Sequence, residues 1–71
     1  MEANTAPPRL LRRPEVERLT GLARSSLYDL IRAGRFPAPI PLTTTARAWV
    51  ESEVLEFVAG RIAERDAKAA A

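Results

Sequence analysis

Apolar residues recur at helical spacing, between polar ones, in the first stretch of this chain that has clear start and stop signals. Pro14 fits the first turn of a helix, because the amide hydrogen that it lacks has no partner there in any case. Val16 and Leu19 supply an apolar side, and Gly21 can take the left-handed conformation that ends many helices. These residues predict a helix of about two turns, with Val16 and Leu19 buried.

A second helix is predicted after a three-residue turn. Leu22 and Leu27 stand at the spacing of a hydrophobic staple around a helix cap at Ala23, and Gly34 marks the end. Between these limits an apolar stripe lies opposite a polar side. The stripe comprises Leu27, Leu30 and Ile31, and the polar side comprises Arg24, Ser25, Tyr28, Asp29 and Arg32. Two short helices joined by a turn that contains glycine predict a helix-turn-helix.

Prolines at positions 37, 39 and 41 exclude a helix between Phe36 and Leu42, so this segment must be extended. Alternate amides of a strand point to opposite edges, and these prolines remove the donors from one edge. We therefore expect the strand to pair with a single neighbour. That neighbour is residues 46–49, which fold back across a hairpin tip formed by residues 43–45.

The last part of the chain predicts a third helix. Glu51–Glu53 form a start signal, and we expect fraying after Arg65. The alanine-rich end from Ala67 to Ala71 is either a helical tail or disordered. The apolar face of this helix consists of Val54, Leu55, Phe57, Val58 and Ile62. With a flexible leader over residues 1–8 and a frayed tail over residues 66–71, the folded domain covers residues 9–65. The predicted fold class is mainly α with a small β-hairpin: a winged helix-turn-helix with a two-stranded wing and a C-terminal helix.

Composition excludes several kinds of reactive and metal-binding site. The chain has 71 residues and neither cysteine nor histidine, which excludes disulfides, thiolate nucleophiles, imidazole bases and the usual zinc sites. Without a set of nucleophile, base and metal, we expect neither an enzyme nor a cofactor. Apolar runs are only a few residues long, and Glu2 stands where a signal peptide carries positive charge. We therefore expect a cytoplasmic protein without a membrane partner.

Positive charge is concentrated in the first half of the chain, although the net charge is only +2. Residues 1–35 hold seven arginines and four acidic residues, whereas residues 51–71 hold five acidic and three basic residues. Nearly all of the positive charge is arginine, whose planar guanidinium suits phosphate and guanine. This distribution suggests a polyanionic partner, although a bias toward arginine also follows from genome composition.

Short motifs occur in order between Leu10 and Ile62. They are Leu10-Leu11-Arg12, Glu15-Val16, Thr20-Gly21-Leu22, Arg24-Ser25-Ser26-Leu27-Tyr28, Ile31, Gly34, Phe36-Pro37, and Trp49 followed by Ser52-Glu53-Val54. In this order and spacing, the chain resembles the AlpA-like phage regulators and the related excisionases of the MerR-like winged-helix group. The resemblance implies that the second helix enters the major groove of DNA and that the hairpin, or wing, contacts the backbone or the minor groove.

Candidate DNA-binding residues follow from this resemblance and from side-chain chemistry. They are Arg24, Ser25, Ser26, Tyr28, Arg32, Thr44, Thr45 and Arg47. Arginine can pair bidentately with guanine, and serine and threonine hydroxyls donate to phosphates or base edges. The chain departs from the family pattern at two places. Ala23 replaces the usual serine or threonine cap, at a cost of about 1 kcal/mol, and residues 43–45 replace the usual glycine and basic residue at the wing tip.

Structural roles compete with several of these assignments. Arginines on an exposed helix are often only solvated, Ser26 can satisfy the first helical turn, and Tyr28 can pack its ring on the core. Asp29 repels phosphate unless it accepts from a cytosine amine, pairs with Arg32 or Arg24, or lies off the contact surface. Three further arginines suit a basic arm and a solvated flank equally well: Arg9, Arg12 and Arg13.

From these observations we expect a sequence-preferring protein that binds double-stranded DNA and regulates transcription in a phage, prophage or mobile element. One alternative is an excisionase-like factor that bends DNA and directs a recombinase. Another is an adaptor that presents the basic helix to an acidic protein. Because one small module buries only about 600–1,000 Å² on DNA, we also expect a homo-oligomer or a cooperative assembly of protomers on the DNA.

Overall fold

The computed structural model describes residues 7–70, which form three helices and a three-stranded antiparallel sheet. The elements are β1 (Leu10–Leu11), α1 (Arg13–Thr20), α2 (Arg24–Arg32), β2 (Ile40–Pro41), β3 (Arg47–Val50) and α3 (Glu51–Ala70). The predicted fold class, mainly α with a winged helix-turn-helix-like arrangement, is confirmed. Residues 1–6 of the predicted leader and residue 71 of the predicted tail lie outside the described residues.

The first helix begins at Arg13, one residue before the predicted start at Pro14, and ends as predicted, but it does not have the predicted burial. Pro14 lies in its first turn, and Gly21 ends it at φ 75°, donating its amide to the Glu17 carbonyl at 2.8 Å. Val16 is fully buried, whereas Leu19 is 42% exposed, so the predicted burial of Leu19 is wrong. At about 100° per residue, Leu19 lies about 60° around the helix from Val16. Val16 is the only buried residue of α1, so the core covers only a narrow strip of this helix.

The second helix begins at Arg24, directly after the extended residue Ala23, as predicted. Its end is a left-handed turn at Gly34, where φ is 73°. Two backbone hydrogen bonds close this end: the Gly34 amide donates to the Ile31 carbonyl at 3.0 Å, and the Arg35 amide donates to the Leu30 carbonyl at 2.9 Å. This is the Schellman arrangement, which satisfies the last carbonyls of a helix.

The hairpin, which we call the wing (residues 40–50), pairs β2 with β3 in the register Ile40 to Ala48 and Pro41 to Arg47. The extended segment contributes only Ile40–Pro41 to the ladder, and its partner strand is Arg47–Val50, one residue later than predicted. The Pro37 carbonyl accepts from the Trp49 indole at 3.0 Å, so the segment before β2 is held to β3 by a side-chain hydrogen bond. As expected for the proline strand, β2 has one neighbour and lies at the edge of the sheet.

A third strand was not predicted. Leu10 and Leu11 pair with Val50 and Trp49 of β3, and the Glu51 amide donates to the Arg9 carbonyl at 2.8 Å. This pairing makes β3 the central strand. It also brings the start of α1 next to the wing, which positions the site described below.

The core forms where the sheet meets the helices. Its buried residues are Leu11, Val16, Leu27, Phe36, Trp49 and Val54, with the ring of Phe57 in edge contact with Phe36 at 4.7 Å. Two residues that we expected on the apolar face of α3 are largely exposed: Leu55 at 47% and Ile62 at 45%. Both lie about 80–100° around the helix from buried Val54, so they flank the packed strip.

The third helix continues to Ala70 rather than fraying after Arg65. Alanine has the highest helix propensity of all residues, which favours continued helix over the alanine-rich end. All residues from 59 to 70 are exposed. No helix within residues 7–70 is long and apolar enough to cross a membrane.

Candidate nucleic-acid interface

The polar side of α2 faces outward. Measured at about 100° per residue from buried Leu27, Ser25, Asp29 and Arg32 lie on the far side of the helix and are exposed. Arg24 and Tyr28 lie along one flank. Ser26 is exposed on the opposite flank.

A shallow groove runs along this side of the helix, and we call it the α2 groove. It is lined by Ala23, Arg24, Ser25, Tyr28, Asp29 and Arg32. Within residues 7–70, Arg24 takes part in no ion pair. The α2 groove therefore offers a guanidinium with open donors, a hydroxyl at the start of the helix and a phenol at its flank.

Asp29 lies on this surface and pairs with Arg32 one turn along the helix. Pairing with Arg32 was one of the three arrangements that the sequence left open for this carboxylate. Both side chains are mostly exposed, at 68% for Asp29 and 71% for Arg32. An exposed pair of this kind contributes only about 0–1 kcal/mol. The Arg32 guanidinium can therefore exchange its partner for a phosphate at little cost.

Tyr28 combines the two roles that the sequence allowed. Its ring packs against the core, with its centroid 6.5 Å from that of Trp49, and its side chain remains partly exposed. Tyr28 lines both the α2 groove and a second cavity beside it. It therefore makes the two concave surfaces continuous.

The second cavity, which we call the basic cavity, measures about 270 Å³. It is lined by Arg12, Arg13, Pro14, Tyr28, Thr45, Arg47 and Trp49. The start of α1, the flank of α2 and the wing meet here. The sequence had left Arg12 and Arg13 open between an arm and a solvated flank, and the structure places both beside Arg47. Arg9 instead pairs with Glu51 at 3.0 Å.

The three threonines at the wing tip contribute unequally to the two concave surfaces. The Thr43 hydroxyl accepts the amides of Thr45 at 3.2 Å and Ala46 at 2.9 Å, so it stabilises the turn itself. Thr44 and Thr45 are exposed. Thr45 lines the basic cavity, whereas Thr44 lines neither concave surface.

The structure thus gathers most of the predicted site onto one continuous surface. On it lie Arg24, Ser25, Tyr28, Arg32, Thr45 and Arg47, whereas Ser26 and Thr44 are exposed outside the two concave surfaces. Sequence reasoning gave Arg12 and Arg13 no definite role, because the signal that places them is the pairing of β1 with β3. No group of residues in the described part of the chain could hold a metal ion.

The sequence of this chain matches a known protein family. The profile of the family described as "Prophage CP4-57 regulatory protein (AlpA)" matches residues 9–62. The chain belongs to the AlpA family. The matched residues run from the residue before β1 into α3 and include every residue that lines the α2 groove and the basic cavity.

Two relatives extend the comparison. The chain is 53% identical over 57 residues to "Uncharacterized protein ORF88" of Enterobacteria phage P4, which is 80% of this chain but only 65% of that protein. It is 33% identical over 64 residues to "DNA-binding transcriptional activator AlpA" of Escherichia coli K12, across 82% of this chain and 91% of that protein. No solved structure matched the chain. The AlpA assignment therefore rests on sequence.

Proposed function

We propose that this AlpA-family chain binds double-stranded DNA and regulates transcription in a phage, prophage or other mobile element. The observation that carries the proposal is the α2 groove on the second helix of a helix-turn-helix, which no other part of residues 7–70 covers. Membership of a family named for a prophage regulatory protein supports it, as does similarity to a DNA-binding transcriptional activator. The proposal involves no catalytic step.

Arg24 is the residue best suited to read a base. In helix-turn-helix proteins, residues at the start of the second helix contact base edges in the major groove. Arg24 is the first residue of α2 and is exposed, with no ion pair among residues 7–70. Its guanidinium can donate two hydrogen bonds to a guanine. The hydroxyl of Ser25, the next residue, can donate to a neighbouring base edge or phosphate.

Each flank of α2 can contact one of the two sugar–phosphate backbones of the duplex. A helix in the major groove, which is about 12 Å wide, has a sugar–phosphate backbone on each side. On one flank Tyr28 leads to the wing, where Thr45 and Arg47 can contact one strand. On the other flank Ser26 can donate to the opposite strand. In this proposal Arg24 contacts a base, whereas Ser26 contacts the sugar–phosphate backbone.

One protomer is too small for useful specificity. The reading helix has nine residues, and a module of this size buries only about 600–1,000 Å² on DNA. We therefore propose that several protomers bind adjacent sites, as a dimer or as a cooperative array. An array that strongly bends repeated sites in a gel-mobility assay would favour the excisionase role, with a recombinase as partner, over transcriptional regulation.

Titration with fluorescently labelled duplex DNA at two or more salt concentrations tests the proposal. A DNA-binding protein should lose affinity with a log–log slope of about −0.9 for each phosphate neutralised. No detectable binding to any duplex at low salt would overturn the proposal and favour the adaptor alternative.

Replacement of Arg24 by alanine tests base reading. On a site selected from a random pool, we expect a loss of about 1–3 kcal/mol and relaxed preference at one position. Arg35→Ala is the matched control, because Arg35 is exposed and lines neither concave surface. A loss for Arg24→Ala that is equal on selected and unrelated sequences would make this residue a phosphate contact.

A further inference from the structure

We propose that the basic cavity is a clamp for a single phosphate of the DNA backbone, in which Arg12 at the start of α1 and Arg47 of the wing hold the same phosphodiester. The inference rests on the proposed DNA binding and adds a contact that neither the family match nor the sequence assigned. It also gives α1 a direct role on DNA.

The lining of the cavity suits an anion. Three arginines and two residues that carry hydroxyl groups line it, and no acidic residue does. Among residues 7–70, Arg12 and Arg47 take part in no ion pair, whereas Arg13 is bonded through its Nε to Glu17 at 3.0 Å. Among the residues that line the cavity, Arg12 and Arg47 are therefore the two arginines without an ion-pair partner in residues 7–70, although the Glu15 carboxylate accepts from the Arg12 amide. Guanidinium groups bind phosphate oxygens with paired, charge-assisted hydrogen bonds.

Strand pairing brings the start of α1 beside the wing, where Arg12 and Arg47 both line the basic cavity. Leu11 pairs with Trp49 in an antiparallel register, so the chain after Leu11 runs toward the position of Arg47. The buried Trp49 side chain, 1% exposed and bonded to the Pro37 carbonyl, lines the cavity from inside. Because this buried side chain is already fixed before binding, less conformational entropy is lost on binding than at an exposed cluster of charged side chains.

The start of α1 adds the positive end of the helix dipole, which favours an anion, but it offers few free amide donors. The Arg12 amide already donates to the Glu15 carboxylate at 3.0 Å, and Pro14 has no amide hydrogen. The phosphate must therefore be held mainly by side chains. Tyr28 lines both this cavity and the α2 groove, so a phosphate bound here lies one side chain away from the base-reading surface.

Two single variants and their combination test the clamp. We expect Arg12→Gln and Arg47→Gln each to weaken binding to every duplex by roughly fivefold to tenfold, as for one charge-assisted hydrogen bond at an exposed site. Preference among sequences should not change. Because both residues hold one phosphate, the double variant should lower the salt slope by about 0.9 in total. A decrease of about 1.8 would mean two separate phosphates and would overturn the shared clamp.

A chemical probe on the DNA gives an independent readout. Uncharged methylphosphonate linkages are placed one at a time along a bound duplex. Wild-type protein should lose affinity at the clamped phosphate, and the double variant should no longer distinguish that linkage from the natural one. A double variant that keeps the wild-type sensitivity at every position would refute the clamp. Arg35 lines neither concave surface, so Arg35→Gln should keep the wild-type sensitivity to each methylphosphonate linkage.

Two controls separate the outcomes. Thermal melting of each variant should match wild type within a few degrees, because neither arginine has an ion pair to lose within the described residues. If wild type binds no duplex at all, the proposed function itself fails; if it binds and the variants are unchanged, only the clamp fails. Inorganic phosphate offered without DNA distinguishes the two sources of the ligand. Saturable phosphate binding that the double variant abolishes, together with duplex binding that the double variant leaves unchanged, would identify a site for free phosphate and refute the DNA clamp.

Discussion

Replacement of Leu27 by alanine tests whether α2 is held in place by a single buried residue. Leu27 is 0% exposed and is the one fully buried residue of α2. Leucine to alanine removes three carbon atoms, a transfer loss of about 2.4 kcal/mol at about 0.8 kcal/mol per carbon. The cavity left behind raises the usual cost to about 2.7–5.0 kcal/mol.

Leu19→Ala is the matched control. The chemical change is the same, but Leu19 is 42% exposed, and solvent can fill the space that the side chain leaves. With roughly half of the side chain buried, the transfer loss is about 1 kcal/mol. The two variants should therefore differ by about 2–4 kcal/mol, although the sequence pattern placed both leucines in the core.

Far-ultraviolet circular dichroism measures the difference through urea and thermal unfolding. A domain of 64 described residues has a stability of roughly 3–10 kcal/mol. About 1 kcal/mol shifts the midpoint of a domain this small by about 4–8 °C. Leu19→Ala should thus melt within several degrees of wild type, and Leu27→Ala should melt far lower or be unfolded at room temperature.

If Leu27→Ala does not fold, Leu27→Met keeps the test quantitative, since a swap of similar volume costs less than about 1.5 kcal/mol. This variant should still bind DNA with the wild-type salt slope, because the exposed side of α2 is unchanged. Equal unfolding midpoints for Leu27→Ala and Leu19→Ala would refute the assignment of the core.

Two further predictions concern charge and backbone. Asp29→Asn removes a carboxylate from the α2 groove and releases Arg32, so affinity for nonspecific duplex should rise roughly threefold to tenfold while the melting temperature changes little; a general loss of affinity in fluorescence anisotropy would contradict this. Gly21→Ala should cost about 1–2 kcal/mol in urea unfolding, because φ is 75° there even though an added Cβ meets no atom within 4 Å. Gly60→Ala, in the interior of α3 with the same open space, should instead stabilise the protein by about 0.5–1 kcal/mol. Shifts of the same sign for both glycine variants would contradict the helix boundaries.

Much of the helix-turn-helix could be predicted because its signals act locally. Pro14, Gly21 and Gly34 mark helix boundaries through their own backbone conformations, which depend little on distant residues. The polar side of α2 also follows from local spacing, since the exposed Asp29 and Ser25 each stand two residues, or about 200°, from Leu27 and so lie on the opposite side of the helix. For these reasons the α2 half of the candidate interface is visible in the amino-acid order alone.

The other half depends on contacts between distant parts of the chain. Leu10–Leu11 is too short to show a strand period, and its pairing with β3 joins segments separated by most of the domain. The paired residues Leu11 and Trp49 belong to the buried cluster that includes Val16 but not Leu19, and the pairing brings Arg12 near Arg47. Which apolar residues are covered, and which arginines meet, is decided by how surfaces pack together. Local spacing carries no information about that packing.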